Sequence, residues 1–207
     1  MQKINFITNG KKSSKHTIIL AHSAGESMSS EFMNYFSENL SNLGFYCIRF
    51  QFPFMTKQVK EEKKYPPDKL KILVDTWNSV LKIFDREKII IGGKSMGGRV
   101  ATLIADSQNV NGVIALGYPF TSTTGNTKNR IEHLKNIRTP TLICQGENDK
   151  LGKKEFIDKL QLSKNIKLYW IKESNHSLVP LKRSGKTSKE CWNECIIEIK
   201  NFVINLS

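Results

Sequence analysis

The chain has 207 residues, of which 39% are hydrophobic, and its 32 Lys and Arg against 19 Asp and Glu give a formal charge of +13. This length suits one domain of ordinary size, and the apolar fraction is sufficient to bury a core without a metal or disulfide framework. An intrinsically disordered chain and a disulfide-stabilised mini-protein are therefore excluded.

Short apolar runs rich in Ile, Val and aromatic residues alternate with longer amphipathic stretches, a pattern typical of strand and helix units that build a parallel sheet. The 16 residues before the first clear strand leave room for about one short strand. The first half of the chain is then predicted to hold a strand Thr17–His22, a helix Ser30–Leu43, a strand Phe45–Phe52, a polar loop, a helix that opens at Pro66-Pro67-Asp68 and reaches Phe84, and a strand Lys88–Gly92.

The run Ile89-Ile90-Ile91 has no polar alternation, which predicts a central strand buried on both faces. The elements predicted after it are a helix Arg99–Asp106, strands Gly112–Leu116 and Thr141–Cys144, a helix from about Lys153 to Leu162, a strand Ile166–Ile171 and a helix from about Lys189 to Ile204. Since there is no internal repeat or linker, we expect one α/β domain over residues 1–207, with a mostly parallel sheet flanked by helices on both faces.

The positive charge could indicate nucleic acid, an anionic surface or an acidic substrate. The chain has 26 Lys but 6 Arg, together with 22 Ile and 17 Asn. Such a joint enrichment is typical of compositional bias across a proteome, whereas phosphate contacts would favour Arg in clusters. We therefore expect no nucleic-acid partner. Retention on heparin or DNA with a steep salt dependence would favour that alternative.

No apolar stretch approaches the roughly 18 to 20 residues of a membrane span, and Met1 to Gly10 lack the continuous hydrophobic region of a signal peptide. We expect a cytoplasmic protein with no membrane partner. Cys47 and Cys144 lie in strand-like runs, and Cys191 and Cys195 have an i, i+4 spacing that could also serve a metal. With no His or second Cys pair beside them in sequence, we expect no metal and no cofactor.

The five residues Gly93-Lys94-Ser95-Met96-Gly97 lie directly between the buried strand and a helix. A sharp strand-to-helix turn exposes a serine hydroxyl at the carboxyl edge of a sheet, where it can act as a nucleophile. The two glycines would remove β-carbons that clash where residues on either side of the strained serine come close together. The alternative is a glycine-rich turn in which Ser95 only caps the helix.

A serine nucleophile needs a base and an acid that orients the base, and in this arrangement they follow the serine as acid, then histidine. His176 lies in a loop just past a strand, whereas His133 lies in a short polar helical segment and is interpreted as solvated. Asp149 follows the strand Thr141–Cys144 in a short turn and is the predicted acid; Glu147 is its competitor.

Acyl transfer creates an oxyanion, which backbone N–H groups stabilise. The N–H of Met96, next to the nucleophile at a helix start, is one predicted donor. The N–H of Ala24, in the loop after the first clear strand, is the other, with Ser23 as second choice. His22 in that loop is interpreted as a structural residue that hydrogen-bonds the loop.

These parts resemble the α/β-hydrolase superfamily. The chain is similar to the small, lidless testis-expressed hydrolase-like proteins, which are distantly similar to dienelactone hydrolases. The segments that carry this similarity are Arg49-Phe50-Gln51-Phe52-Pro53, Pro66-Pro67, Gly93 to Arg99, and Trp170-Ile171 followed by Asn175-His176-Ser177. The resemblance implies a minimal fold and the triad Ser95, Asp149 and His176, but no substrate. The family usually has glycine where Ser23 stands.

Only 19 residues, Thr121 to Thr139, separate Phe120 from Pro140, where lids are typically inserted in this superfamily. We therefore expect an open site without a large lid, and a serine esterase that acts on small or exposed acyl esters. Lys94 and Arg99 could attract an anionic substrate, or be solvated and paired. Phe54, Met55 and Tyr118 could line the pocket or pack in the core. The competing hypothesis is a non-catalytic interaction module on the same fold.

Overall fold

The computed structural model describes residues 4–84, 86–122 and 128–206. Within these residues seven strands form one sheet: β1 Phe6–Asn9, β2 Thr17–Ala21, β3 Tyr46–Phe50, β4 Ile89–Lys94, β5 Gly112–Leu116, β6 Thr141–Gly146 and β7 Ile166–Ile171. Their spatial order is β1-β3-β2-β4-β5-β6-β7, and only β1 runs antiparallel to its neighbour. The helices of the same residues are α1 Glu31–Asn42, α2 Pro53–Glu61, α3 Leu70–Ile83, α4 Met96–Ile104, α5 Lys128–Ile131, α6 Lys154–Ile157 and α7 Ser188–Ile204.

The sheet is buried on both faces, as alternate residues of its central strands show. Ile18 and Leu20 of β2 pack with residues of α1 and α7, whereas Ile19 and Ala21 pack with residues of α3 and α4. In β4, Ile90 belongs to the first layer and its two isoleucine neighbours to the second. Helices therefore cover both faces of a mostly parallel sheet, and the predicted fold class is confirmed.

One helix was not predicted. The residues after β3, expected to be a polar loop, form α2, which begins at Pro53. Proline is favoured at a first helical position because its missing N–H needs no partner there. The second difference is that Pro66, Pro67 and Asp68 precede α3 rather than open it, since α3 begins at Leu70.

The segment between β5 and β6 contains α5 and a 3₁₀ turn Glu132–Lys135. Residues 123–127 of this segment lie outside the described residues, but the whole segment is too short for a large lid. The four cysteines are unpaired and buried, so no disulfide supports the fold. No described helix combines the length and apolar character that crossing a membrane requires.

Candidate active site

Ser95 is the single residue between the end of β4 and the start of α4. Its backbone has φ 49° and ψ −111°, an unfavourable conformation for any residue with a side chain. The Ser95 N–H donates to the Leu116 carbonyl at 2.9 Å, and the Ser95 carbonyl accepts from the Arg99 N–H at 2.9 Å. Strand β5 and the first turn of α4 thus hold the turn that projects the hydroxyl from the carboxyl edge of the sheet.

The two glycines around Ser95 both lie very close to the end of strand β2. A β-carbon on Gly93 would lie 2.1 Å from the carbonyl oxygen of Ala21, and one on Gly97 would lie 2.4 Å from the same oxygen. Both glycines therefore make room for strand β2, a contact that the sequence did not predict. Gly93 also has φ 152°, which side chains rarely allow.

The structure brings the three predicted triad side chains into one hydrogen-bonded chain. His176 Nε2 lies 2.8 Å from Ser95 Oγ, and His176 Nδ1 lies 2.7 Å from Asp149 Oδ2. The Asp149 side chain is fully buried, whereas about a quarter of the His176 side chain is exposed. A carboxylate on Nδ1 favours the tautomer in which Nε2 is free to accept the serine proton.

Asp149 is held by two further donors. Gln145 Nε2 donates to Asp149 Oδ2 at 2.6 Å, and the Leu151 N–H donates to Asp149 Oδ1 at 2.8 Å. Gln145 also bonds the backbone of Tyr118 through both its amide atoms, so it links the ends of β5 and β6. Our sequence interpretation missed Gln145, although a polar residue within an otherwise apolar strand is a recognisable signal.

The loop that carries His176 is fixed by its neighbours. Asn175 Oδ1 accepts the N–H groups of Ser177 at 2.9 Å and Val179 at 3.1 Å. Gly117, which follows β5, approaches this loop so closely that a β-carbon there would lie 2.2 Å from the His176 carbonyl oxygen. His176 is thus positioned by backbone packing as well as by Asp149.

The competing acids and the other late histidine have different partners. Glu147 Oε2 accepts the Glu173 N–H at 3.1 Å, which holds the histidine loop. Asp158, which the sequence places on a helix, is paired with Lys154 at 2.7 Å on the surface. His133, expected to be solvated, is half-buried, and its Nε2 lies 2.9 Å from Thr102 Oγ1. Burial and the nearby Arg99 lower the pKa of His133 to about 4.

The predicted oxyanion donors border the nucleophile. Met96 is the first residue of α4, where N–H groups have no intrahelical acceptor. Ala24 and Met96 line the same pocket as Ser95. The backbone of Ser23 does not have a positive φ, so the loop does not need a glycine at this position.

His22 holds the loop after β2, as expected. Its Nδ1 donates to the Ser23 carbonyl at 2.6 Å, and its Nε2 accepts the Phe52 N–H at 3.0 Å. The ring is fully buried, and this burial lowers the pKa of His22 to about 4. A neutral ring satisfies both bonds, whereas a protonated ring would set Nε2–H against the Phe52 N–H.

This burial predicts acid sensitivity. Because the pKa of His22 is lower in the folded chain than the 6.5 of an ordinary histidine, the unfolded state binds the proton first, and stability falls as pH falls from about 6.5 towards 4. We expect His22 to remove about 2 kcal/mol from the free energy of unfolding between pH 7.5 and 5.0. Urea unfolding at both pH values measures the total loss, to which His133 also contributes, because burial lowers its pKa to about 4 as well. Imidazole ¹⁵N shifts check its source, and a His22 ring that titrates near 6.5 in the folded protein would contradict it.

Lys94 is paired and buried, whereas the sequence had left open whether it attracts an anionic substrate or is solvated and paired. Its Nζ lies 2.8 Å from both carboxylate oxygens of Glu26 and 4.4 Å from the centre of the Phe32 ring. Its side chain is 4% exposed. The charge of Lys94 is therefore neutralised within the fold, and the ion pair ties the residues after β2 to the end of β4.

Tyr118 also lies outside the pocket lining. Its ring is fully buried against Phe120, and its hydroxyl donates to the Arg130 carbonyl at 2.6 Å. Phe54 and Met55 are likewise buried in the core beside α3. These three residues support the site by packing, the alternative that the sequence had left open.

A pocket of about 330 Å³ opens beside Ser95. It is mainly apolar in residue type but contains two arginines and one carboxylate. Its lining residues are Ala24, Pro67, Asp68, Leu70, Leu73, Ser95, Met96, Arg99, Pro119, Arg130 and Leu151. This volume is at the low end for ligand pockets, and the site is open to solvent without a large lid.

Comparison with known proteins places this chain in a family. No curated protein matches the chain by sequence. Among solved structures it is similar to a monoacylglycerol lipase from Paleococcus ferrophilus, with 15% identity, a TM-score of 0.74 and all of both chains covered. It is also similar to Est1E from Butyrivibrio proteoclasticus, with 16% identity, a TM-score of 0.71, and 97% of this chain and 94% of the other covered. An alpha-beta serine hydrolase homologue from Coxiella burnetii has 18% identity, a TM-score of 0.67, and coverage of 99% and 92%.

At these identities the structural likeness shows the fold alone. A family model described as an alpha/beta hydrolase domain, however, matches residues 14–204. Because the match spans nearly the whole chain, the protein belongs to the alpha/beta hydrolase domain family.

Proposed function

We propose that the protein is a serine esterase that forms an acyl-enzyme on Ser95. The observation that supports this most is the unbroken hydrogen-bonded chain from Ser95 Oγ through His176 to the buried Asp149. A serine that only caps a helix would need neither the histidine at 2.8 Å nor the carboxylate behind it.

In the proposed reaction, Ser95 Oγ attacks the ester carbonyl carbon while its proton passes to His176 Nε2. The tetrahedral intermediate then collapses, and the alcohol leaves with that proton. A water molecule attacks the acyl-serine in the second half, giving its proton to His176, which returns it to Ser95 as the acid is released. Asp149 holds the imidazole and stabilises its charged form.

The N–H groups of Met96 and Ala24 are the proposed oxyanion donors. In a trans peptide, the carbonyl and the following N–H point in opposite directions. Because His22 binds the Ser23 carbonyl, it fixes the direction of the Ala24 N–H. His22 is thus proposed as a positioning residue for the oxyanion site.

The proposed partner is a small-molecule acyl substrate, small or with an exposed ester. The pocket of about 330 Å³ and the short segment between β5 and β6 support this class, because neither provides the cover that a long acyl chain would need. The closer kinship to the testis-expressed hydrolase-like and dienelactone hydrolase proteins remains part of this proposal, and it rests on the motifs of the sequence.

A fluorophosphonate probe tests the nucleophile. We expect the purified protein to be labelled, with Ser95 as the modified residue by peptide mass spectrometry, and Ser95→Ala to lose the label. Ser174, whose hydroxyl donates to the Ile171 carbonyl at 3.0 Å, is a buried serine for comparison, and Ser174→Ala should retain it. Labelling that survives Ser95→Ala unchanged would reject the assignment, and a folded protein without label or ester turnover would reject the enzyme.

A further inference from the structure

The turn that carries His176 ends on a strained residue. The Leu178 N–H donates to the Asn175 carbonyl at 2.9 Å, which closes a β-turn with His176 and Ser177 at its centre. Leu178 has φ 57°, in the left-handed region that is unfavourable for a bulky side chain. Such a conformation persists only where the surrounding structure holds it. The groups that hold Leu178 therefore also determine the shape of the turn.

Both ends of the turn are fixed. The side chain of Leu178 is fully buried in the layer that contains α1 and α7. The Asn175 N–H donates to the Val179 carbonyl at 2.9 Å, and a single bridge joins Ser174 to Pro180 beyond it. The chain can therefore relieve the strain of Leu178 most directly by turning over the peptide that precedes it.

That peptide joins Ser177 to Leu178. Turning it over would change the ψ of Ser177 and the φ of Leu178 together, and would bring Leu178 to an ordinary negative φ. In a trans peptide the N–H and the carbonyl point in opposite directions, so each can be held from its own side. The Asn175 carbonyl binds the N–H, as described above. Trp192 binds the carbonyl, since its Nε1–H donates to the Ser177 oxygen at 3.1 Å.

The indole of Trp192 is itself held firmly in place. Trp192 lies on α7, is 5% exposed, and packs edge-on against Phe32 with the ring centroids 5.2 Å apart. The centre of the same Phe32 ring lies 4.4 Å from Nζ of Lys94, the residue that precedes Ser95. One aromatic ring thus packs against the supports of both Ser95 and the histidine turn.

We propose that Trp192 is a positioning residue for His176, because its indole N–H holds the strained Ser177–Leu178 peptide in the orientation that keeps His176 Nε2 against Ser95. The effect on catalysis rests on the proposed function, whereas the orientation of the peptide can be measured without turnover. One hydrogen bond and the left-handed strain of one residue are similar in free energy. Removing the bond therefore allows the relaxed turn, in which His176 is re-aimed, to compete with the strained one.

Trp192→Phe keeps an aromatic ring and removes the donor. We expect kcat for a neutral aryl acetate to fall about three- to tenfold, as the loss of one hydrogen bond predicts. KM should stay within about twofold, because Trp192 lies outside the described lining of the pocket beside Ser95. The rate of fluorophosphonate labelling of Ser95 should fall by the same factor as kcat, since labelling needs the same base. A merely structural role would lower the unfolding temperature and leave kcat of the folded protein unchanged.

Tyr35→Phe is the matched control. The Tyr35 hydroxyl donates to Asn193 Oδ1 at 3.0 Å, so this variant also removes an aromatic donor between α1 or α7 and its neighbour, but one that does not reach the turn. Its kcat should stay within about twofold of wild type. An equal fall in both variants would assign the effect to general loosening of α7 and overturn the inference.

NMR spectroscopy of Leu178 gives a readout that needs no activity, because backbone ¹³C shifts and the coupling between its amide and α protons depend on φ. We expect a positive φ in the wild type and a second population with negative φ in Trp192→Phe. A negative φ in the wild type, or a single positive φ in both proteins, would overturn the inference, while labelling of Ser95 would still support the esterase. A wild type that is not labelled would reject the esterase, and the two Leu178 populations would still decide whether Trp192 holds the peptide.

Discussion

Replacing Asp149 with Asn is expected to lower kcat for ester hydrolysis about 10³- to 10⁴-fold without unfolding the protein. Asp149 accepts three donors: His176 Nδ1 and Gln145 Nε2 on one oxygen, and the Leu151 N–H on the other. An Asn side chain must turn its own NH₂ towards one of these sets. If the NH₂ faces His176, it imposes the histidine tautomer that cannot accept the serine proton. If the NH₂ faces Leu151, the histidine keeps its productive tautomer, but the negative charge that stabilises the imidazolium is lost.

The measurement is steady-state kinetics on a neutral aryl acetate, with thermal unfolding to verify the fold. Glu147→Gln is the matched control, because Glu147 is the other acid of the same turn and its carboxylate accepts the Glu173 N–H. We expect its kcat to stay within about threefold of wild type. If Glu147→Gln loses the activity and Asp149→Asn keeps it, the acid has been assigned to the wrong residue.

Replacing Gly93 with Ala is expected to destabilise the fold by at least about 3 kcal/mol, or to prevent folding. The new β-carbon would lie 2.1 Å from the Ala21 carbonyl oxygen, well inside contact distance. Neither backbone can retreat easily, since Ala21 is paired on one side with Phe50 and on the other with Gly93 itself. The φ of 152° adds strain for any side chain.

Gly44→Ala separates the two causes. Gly44 also has a positive φ, 94°, but no atom lies within 4 Å of its ideal β-carbon. The Gly44→Ala variant should lose only about 1 kcal/mol of its free energy of unfolding, measured in urea, because it has backbone strain without a steric clash. If Gly93→Ala and Gly44→Ala lose the same amount, the close approach to β2 is not what requires glycine at position 93.

The fold was predictable where burial produces a periodic or unbroken pattern. Ile89-Ile90-Ile91 indicated a central strand because both faces of β4 are covered, and the packing of its residues in opposite layers bears this out. Helix α2 was not predicted, because only Phe54 and Met55 of it are buried and the rest reads as a polar loop. A short helix with so small an apolar face leaves little periodicity to detect.

The candidate site was predictable in its residue types and in His22, which holds the loop after β2, but not in its other supports. Order along the chain and position after strands suggested Ser95, Asp149 and His176, which the structure brings together. Lys94 contacts Glu26, which lies 68 residues away in the sequence. Gln145 contacts Asp149, which lies 4 residues away. Neither contact follows from a local motif. The position of Lys94 beside Ser95 suggested that it could attract the substrate, whereas tertiary packing pairs it with Glu26.

The close approach of Gly117 to the carbonyl of His176 bears on how related chains should be interpreted. A side chain at this position would push the histidine loop away from the sheet, and a displacement of about 1 Å can cost a reacting group a hundredfold in rate. A related chain can therefore retain Ser, Asp and His at the three triad positions although its histidine no longer reaches its serine. In such sequences the residue after the fifth strand has no catalytic group of its own, but it indicates better than the triad whether the related protein can be active.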